Sequence, residues 1–242
     1  MSRWQTRAVF FDLYNTLVRF WPPREEIQLQ VLKEMGLEAE RDGLTYGYWQ
    51  ADRFWSQENG RRPLEQRSPE ERDRFFAEYE SIILRAAGLD LSPEQALQLF
   101  QRVRSYPRRW EPYEDVLPTL DALRRRGLTI GVLTNVPSQE RADSLLSDAL
   151  RDRIDFMVTS TEAGAPKPHP QIFQLALRRA NARPEEALHV GDQYDADVAG
   201  ARAVGIPVLL LDREDAHRHV TDVVRIRSLR EVLQYLDRRA TG

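Results

Sequence analysis

Ala8-Val9-Phe10-Phe11-Asp12-Leu13-Tyr14-Asn15-Thr16-Leu17 is the stretch that decides the fold. Four apolar residues in a row form a short strand buried on both faces. The run stops at an aspartate, and Asn15 and Thr16 then turn the chain. A carboxylate at the end of a buried strand costs free energy unless a neighbour uses or pairs it. On this stretch alone, Asp12 reads equally well as a local turn acceptor or as a functional group.

The pattern changes twice on moving away from this strand, which spans residues 6–12. Between residues 19 and 106 there is helical periodicity and no strand-like apolar run. Helices are expected over 24–36 and 41–58, from Ser68 to near Gly88, and from Ser92 through Val103. Ser68-Pro69-Glu70-Glu71 and Ser92-Pro93-Glu94-Gln95 are both capping boxes with proline at the first helical position. Four helices joined by short connections make a small bundle. After Pro107 strands and helices alternate. Strands are expected at 128–134, 156–160, 187–192, 207–211 and 223–226. Helices fall at 118–126, 138–150, 170–181 and 195–204, and a last one opens at a third capping box, Ser228-Leu229-Arg230-Glu231. Such alternation implies an α/β fold with a Rossmann-like, doubly wound parallel sheet. Residues 1–18 and 107–242 form that core, and residues 19–106 are an inserted α-helical bundle domain.

Composition narrows the function classes. The 242 residues, 41% hydrophobic and 30% charged, fit a soluble globular protein. No run reaches the roughly 18 apolar residues of a membrane span. Met1-Ser2-Arg3-Trp4-Gln5 lacks the basic-then-apolar layout of a signal peptide. With no cysteine, disulfides and thiolate chemistry are excluded, and a cytoplasmic location is the default expectation. A net charge of −3 argues against nucleic acid as a partner. The basic runs Arg124-Arg125-Arg126, Arg61-Arg62 and Arg108-Arg109 read as solvated helix faces. Of 35 basic residues, 33 are Arg and two are Lys, Lys33 and Lys167. In such an arginine-rich chain, each lysine is a candidate for work that needs a compact point charge on a flexible stem.

Open parallel sheets bind ligands beyond the carboxyl ends of their strands. Asp12, Thr134 and Asp192 each end a strand. Lys167 lies in the loop Glu162-Ala163-Gly164-Ala165-Pro166-Lys167-Pro168-His169-Pro170, which its three prolines stiffen. Each residue alone has an ordinary alternative: Thr134 and Asp192 as helix caps, Lys167 as a solvated side chain. Their convergence on one sheet edge favours a site. His169, His189, His217 and His219 show no metal-ligand spacing.

Four motifs carry a family resemblance. They are Phe11-Asp12-Leu13-Tyr14-Asn15-Thr16-Leu17; Leu133-Thr134-Asn135; Lys167-Pro168-His169-Pro170 with Ile172-Phe173; and Val190-Gly191-Asp192-Gln193-Tyr194-Asp195-Ala196-Asp197-Val198, running on through Gly200-Ala201-Arg202. In this order the chain resembles the haloacid dehalogenase superfamily, in the branch whose helical cap is inserted after the first strand. The resemblance implies a nucleophilic Asp12 that forms a covalent ester or acyl phosphate. It implies that Thr134 and the Asn135 backbone hold a phosphate oxygen, while Lys167 neutralises charge on nucleophile and substrate. Mg²⁺ would be bound by Asp12, Asp192 and the main-chain carbonyl of Tyr14. Asp197 would bind the metal's waters or orient Lys167. The implied substrate is a small phosphorylated metabolite, with no nucleic-acid or membrane partner, and no oligomeric state is implied.

Tyr14 departs from the phosphatase pattern. Phosphatases of the superfamily usually carry a second aspartate there, as general acid and base, whereas its metal-free 2-haloacid dehalogenases resemble this chain in having Asp-x-Tyr-x-Thr. A halide leaves without a proton, but an alkoxide needs one. Losing general acid catalysis typically costs ~10²–10⁴ in rate. Asp192 and Asp197 point the other way, toward a metal-using phosphoryl-transfer site. The alternatives to a Mg²⁺-dependent phosphatase are therefore a dehalogenase acting on a halogenated acid, or a non-catalytic binder of a phosphorylated ligand. In the helical domain Tyr46, Trp49, Arg53 and Trp55, and the anion-binding candidates Arg24 and Arg41, do not single out a substrate.

Overall fold

In the computed structural model, which describes residues 5–136 and 138–241, the chain divides into two compact units. One is Met1–Arg19 with Trp110–Gly242, and the other is Phe20–Arg109. Met1–Trp4, part of the stretch read above for a leader, lie outside the described residues.

The first unit is an α/β sheet. Its strands are β1 (Ala8–Phe11), β4 (Thr129–Thr134), β5 (Phe156–Thr159), β6 (Ala187–Gly191), β7 (Val208–Leu211) and β8 (Val224–Ile226). Between β1 and β4 the chain forms β2 (Val18–Trp21) and β3 (Arg109–Pro112), which pair as a separate two-stranded ribbon. The main sheet runs in the order β5-β4-β1-β6-β7-β8, and every pair is parallel. After β1 the chain builds outward on one side through β4 and β5, then returns to the other side of β1 at β6. That reversal puts a switch point at β1, where the ends of β4, β1 and β6 lie side by side. Phe11 is in register with Val132 of β4 and Val190 of β6.

The α-helices of this unit, numbered after those of the other unit, are α5 (Val116–Arg125), α6 (Gln139–Asp143), α7 (Asp148–Arg151), α8 (Ser160–Ala163), α9 (Pro170–Ala180), α10 (Ala199–Ala203) and α11 (Arg230–Thr241). Alternate residues of β1 serve opposite layers. Val9 and Phe11 pack with Leu120, Leu123, Val232 and Leu236 of α5 and α11. Ala8 and Phe10 pack with Phe173, Ala176 and Ala201 of α9 and α10. All four β1 residues are fully buried, which explains an unbroken apolar run in place of alternation.

The second unit is helical: α1 (Arg24–Glu34), α2 (Arg41–Arg61), α3 (Pro69–Ala86) and α4 (Pro93–Ser105). Both capping boxes form, with Ser68 accepting from Glu71 N–H and Ser92 from Gln95 N–H. The apolar stripes of the four helices meet around Ile27, Leu44, Ile83, Leu84 and Leu99. α2 and α3 touch through Gly47, where a Cβ would lie 2.6 Å from the Ile83 carbonyl oxygen. No described helix is long and apolar enough to cross a membrane.

Several local expectations differ from the structure. The helix expected at 138–150 is two short ones, because Ser147 accepts from Leu150 N–H and restarts the chain. The helix expected at 195–204 opens as a π-turn over Tyr194–Val198 before α10. In the third capping box, Glu231 accepts from Ser228 N–H, but the Ser228 hydroxyl donates to Asp115 instead of closing the box. The ribbon strands β2 and β3 escape local pattern reading because their pairing joins residues about ninety positions apart.

Candidate active site

The carboxyl edge of the sheet collects the candidate side chains at the switch point. Asp12 follows β1 directly, and its N–H donates to the Val190 carbonyl of β6 at 2.9 Å. Thr134 is the last residue of β4, and Asp192 follows the last residue of β6. Parallel strands bring these ends to one edge, so residues far apart in sequence become neighbours.

Lys167 reaches the same edge from the loop after β5, and Asn135 fixes its starting point. Lys167 N–H donates to Asn135 Oδ1 at 2.7 Å, and Asn135 Nδ2 donates back to the Lys167 carbonyl at 3.1 Å. The Lys167 ammonium then donates to Asp12 Oδ1 at 2.5 Å and to Asp197 Oδ1 at 2.7 Å. All three side chains are buried; Lys167 is 2% exposed and Asp12 8%.

Asp197 comes from the π-turn after β6. Its Oδ2 accepts from Gln193 N–H at 3.1 Å, while Oδ1 also meets His189 Nε2 at 2.9 Å. The π-turn re-aims the carboxylate back against its own strand, a recurrent use of such turns at functional sites. This needs glycine at 191, where a Cβ would sit 2.2 Å from Asp197 Cγ.

Burial and charge oppose each other here. Burial alone would lower the Lys167 pKa, but Asp12 and Asp197 outweigh it and hold the ammonium above its ordinary value. Burial alone would raise Asp197, yet Lys167 and His189 keep it well below the usual carboxylate range. At Asp12 burial prevails over the attraction of Lys167, and the repulsion of Asp197 adds to it, so its pKa moves up. One buried cation thus bridges two carboxyl groups, an arrangement whose large desolvation cost demands good pairing.

Of the residues expected from the sequence, Asp12, Lys167 and Asp197 are brought into direct contact, and Asn135 meets the Lys167 main chain. Thr134 Oγ1 accepts from Val136 N–H at 3.2 Å. Asp192 is half-buried. The Tyr14 ring packs edge-on against Trp110, with centroids 5.3 Å apart. Among the described residues no three His, Cys, Asp or Glu side chains are grouped to hold a metal ion. Asp12 and Asp192 place two carboxylates at the ends of the adjoining strands β1 and β6. Mg²⁺ takes one or two carboxylates and keeps several waters, so a hard-oxygen set of this kind fits it.

Reading for metal-ligand spacing passed over His189, which contacts Asp197. Its signal was a polar residue inside Ala187-Leu188-His189-Val190-Gly191, a strand buried throughout. The Asn135 amide contact was also missed, since it pairs with a main chain 32 residues away. In the helical unit Arg24 donates to Asp52 at 2.6 Å and lies over the Tyr48 ring, and Arg41 reaches Glu26 at 3.5 Å. Trp55 packs among Phe75, Phe76 and Tyr79, and Trp49 stacks on Tyr46.

Residues 6–205 match the family model of haloacid dehalogenase-like hydrolases. Haloacid dehalogenase-like hydrolase domain-containing protein 3 of Homo sapiens is 33% identical, over 86% of this chain and 83% of that protein. A ribulose-1,5-bisphosphate 5-phosphatase of Halopiger xanaduensis is 30% identical, over 85% of this chain and 84% of that one. Among solved structures, a HAD-type hydrolase of Bacillus subtilis superposes with a TM-score of 0.64 at 16% identity, covering 96% of this chain and 99% of that one, a likeness of fold.

Proposed function

The chain belongs to the haloacid dehalogenase-like hydrolases, and on that footing we propose that it is a Mg²⁺-dependent phosphatase of a small phosphorylated metabolite, working through an aspartyl-phosphate on Asp12. The observation that carries this reading is the Lys167 ammonium held between Asp12 and Asp197 at the switch-point edge. Similarity to a relative named as a sugar-phosphate phosphatase supports the substrate class.

In this mechanism Asp12 attacks phosphorus. The carboxylate O–P bond forms as the bond to the leaving oxygen breaks, and that oxygen keeps the electron pair. Water then attacks the acyl phosphate, releases phosphate and restores Asp12. Lys167 offsets charge on the carboxylate and the phosphoryl group throughout, and burial strengthens that effect. Thr134 and the Asn135 main chain hold a phosphoryl oxygen. Asp12, Asp192 and the Tyr14 carbonyl hold Mg²⁺, and Asp197 orients Lys167. Bound Mg²⁺ supplies positive charge that lets a carboxylate approach an anionic phosphate.

Tyr14 shapes the leaving-group preference. An unperturbed phenol titrates near pH ~10 and is a weak acid for protonating an alkoxide. The enzyme therefore favours phosphates whose leaving group departs with little protonation.

A panel of phosphorylated metabolites, assayed with and without Mg²⁺, tests the reading. Both Asp12→Asn and chelation are expected to abolish phosphate release, and release by Asp12→Asn at the parent rate would sink it. Tyr14→Asp should raise turnover of alkyl phosphates; a clear fall, with folding and metal binding intact, counts against the leaving-group argument.

A further inference from the structure

β6 runs through the middle of the sheet, paired with β1 on one side and β7 on the other. Its residues are all buried, and His189 is the one with a polar side chain. Phe173 packs edge-on against the imidazole with centroids 5.2 Å apart. Among the described residues, His189 Nδ1 is buried and has no hydrogen-bond partner. A leucine or valine there would avoid that cost, so the imidazole calls for an explanation.

The explanation lies at Nε2, 2.9 Å from Asp197 Oδ1, the oxygen that also accepts from Lys167. An ionised carboxylate only accepts hydrogen bonds, so Nε2 must carry the proton and donate it. Asp197 is thereby gripped from three directions, by the Lys167 ammonium, the Gln193 N–H and the His189 N–H.

We infer that His189 is a positioning residue, which holds Asp197 in the rotamer that keeps the Lys167 ammonium against Asp12. The chain His189–Asp197–Lys167–Asp12 sets the place of the cation, and His189 itself touches no substrate. Its effect on turnover rests on the phosphatase reading, whereas its effect on Lys167 does not.

The two-lysine composition makes a direct test possible. In protein labelled at lysine with ¹⁵N and ¹³C, on a Lys33→Arg background, Lys167 is the sole lysine signal. His189→Leu removes the donor and keeps an apolar fill. It is expected to shift the Lys167 side-chain signal and to speed exchange of its ammonium protons at least about tenfold, as a buried ammonium loses its fixed partner. His189→Gln, whose amide nitrogen can reach the Nε2 position, restores the parent signal. In the phosphatase assay His189→Leu lowers kcat about 10–100-fold with KM within about twofold, and His189→Gln recovers most of it. Urea unfolding should show His189→Leu less stable than the parent, since the buried Asp197 loses a donor, so the readouts that a purely structural histidine would not move are the Lys167 signal and the rescue by His189→Gln. If His189→Leu does not fold, His189→Val serves as the donor-less variant. An unchanged Lys167 signal overturns the inference whatever the activity, and parent-level kcat in an active donor-less enzyme overturns it as well. A parent that releases no phosphate overturns the phosphatase reading alone, since the Lys167 signal still reports on His189.

Discussion

Asp197 in the sheet unit and Glu80 in the helical unit are both about 1% exposed, yet their surroundings make them different chemical species. Asp197 meets an ammonium, an imidazole and a main-chain N–H, and stays ionised well below the ordinary carboxylate pKa. Glu80, on α3, meets the Gln28 amide of α1, which in turn accepts from the Tyr48 hydroxyl of α2 at 2.9 Å. Among the described residues it forms no ion pair. Burial pushes its carboxyl up to about 7, and the Gln28 hydrogen bond offsets only part of that. The difference teaches that burial alone turns an acid into a proton-binding group. Burial with a fixed cation, an imidazole and a main-chain N–H together, as at Asp197, keeps the acid charged, whereas at Asp12 the same cation alone does not overcome burial.

The largest expected effect comes from removing the cation. Lys167→Met leaves Asp12 and Asp197 buried with no ammonium between them. Breaking a buried pair in this way costs about 3–5 kcal/mol, and urea unfolding at pH 7 should register it. Phosphate release should disappear in the same variant. A stability within about 1 kcal/mol of the parent would break the contrast, because it would mean that the carboxylates need no partner.

Glu80 offers the next effect, with a definite sign. The folded protein binds this proton more tightly than the unfolded chain does. The resulting stabilisation is complete below the ordinary pKa of 4.5 and is lost as pH rises toward about 7. Above that, an ionised Glu80 is a penalty on the order of 3 kcal/mol. Glu80→Gln should therefore gain most over the parent at pH 8 and little at pH 4.5, measured by urea unfolding at both. An equal difference at the two pH values would show that Glu80 has a counter-charge after all.

The smallest effect sharpens the comparison from the Lys167 side. Asn135→Ala removes both hydrogen bonds to the Lys167 main chain. It should destabilise by about 1–3 kcal/mol, with Lys167 less firmly placed and turnover reduced rather than abolished. Complete loss of turnover at full stability would instead mean that the Asn135 amide itself contacts substrate.

Legibility in the sequence followed the range of the interaction. Strands such as Ala8–Phe11 and capped helices such as Pro69–Ala86 are written in contiguous residues, so periodicity and capping residues reveal them. The order of elements then implied a parallel sheet, whose carboxyl edge located Asp12, Thr134, Lys167 and Asp192 together. The π-turn at Tyr194–Val198 read as ordinary helix, because what bends it is the grip on Asp197 rather than any helix-breaking residue. Ser228 looked like a complete capping box until Asp115, 113 residues earlier, took its hydroxyl.

By itself the sequence determined the α/β class, the inserted helical segment and the candidates at the sheet edge, since these follow from local period and from where each strand stops. Only the tertiary structure decided the ionic state of the buried acids and the partners of Lys167. Those depend on which groups share a low-dielectric space, and no run of neighbouring residues encodes that distance. His189 shows the limit most plainly. Within its strand it is an anomaly, and 2.9 Å from Asp197 it has a reason to be there.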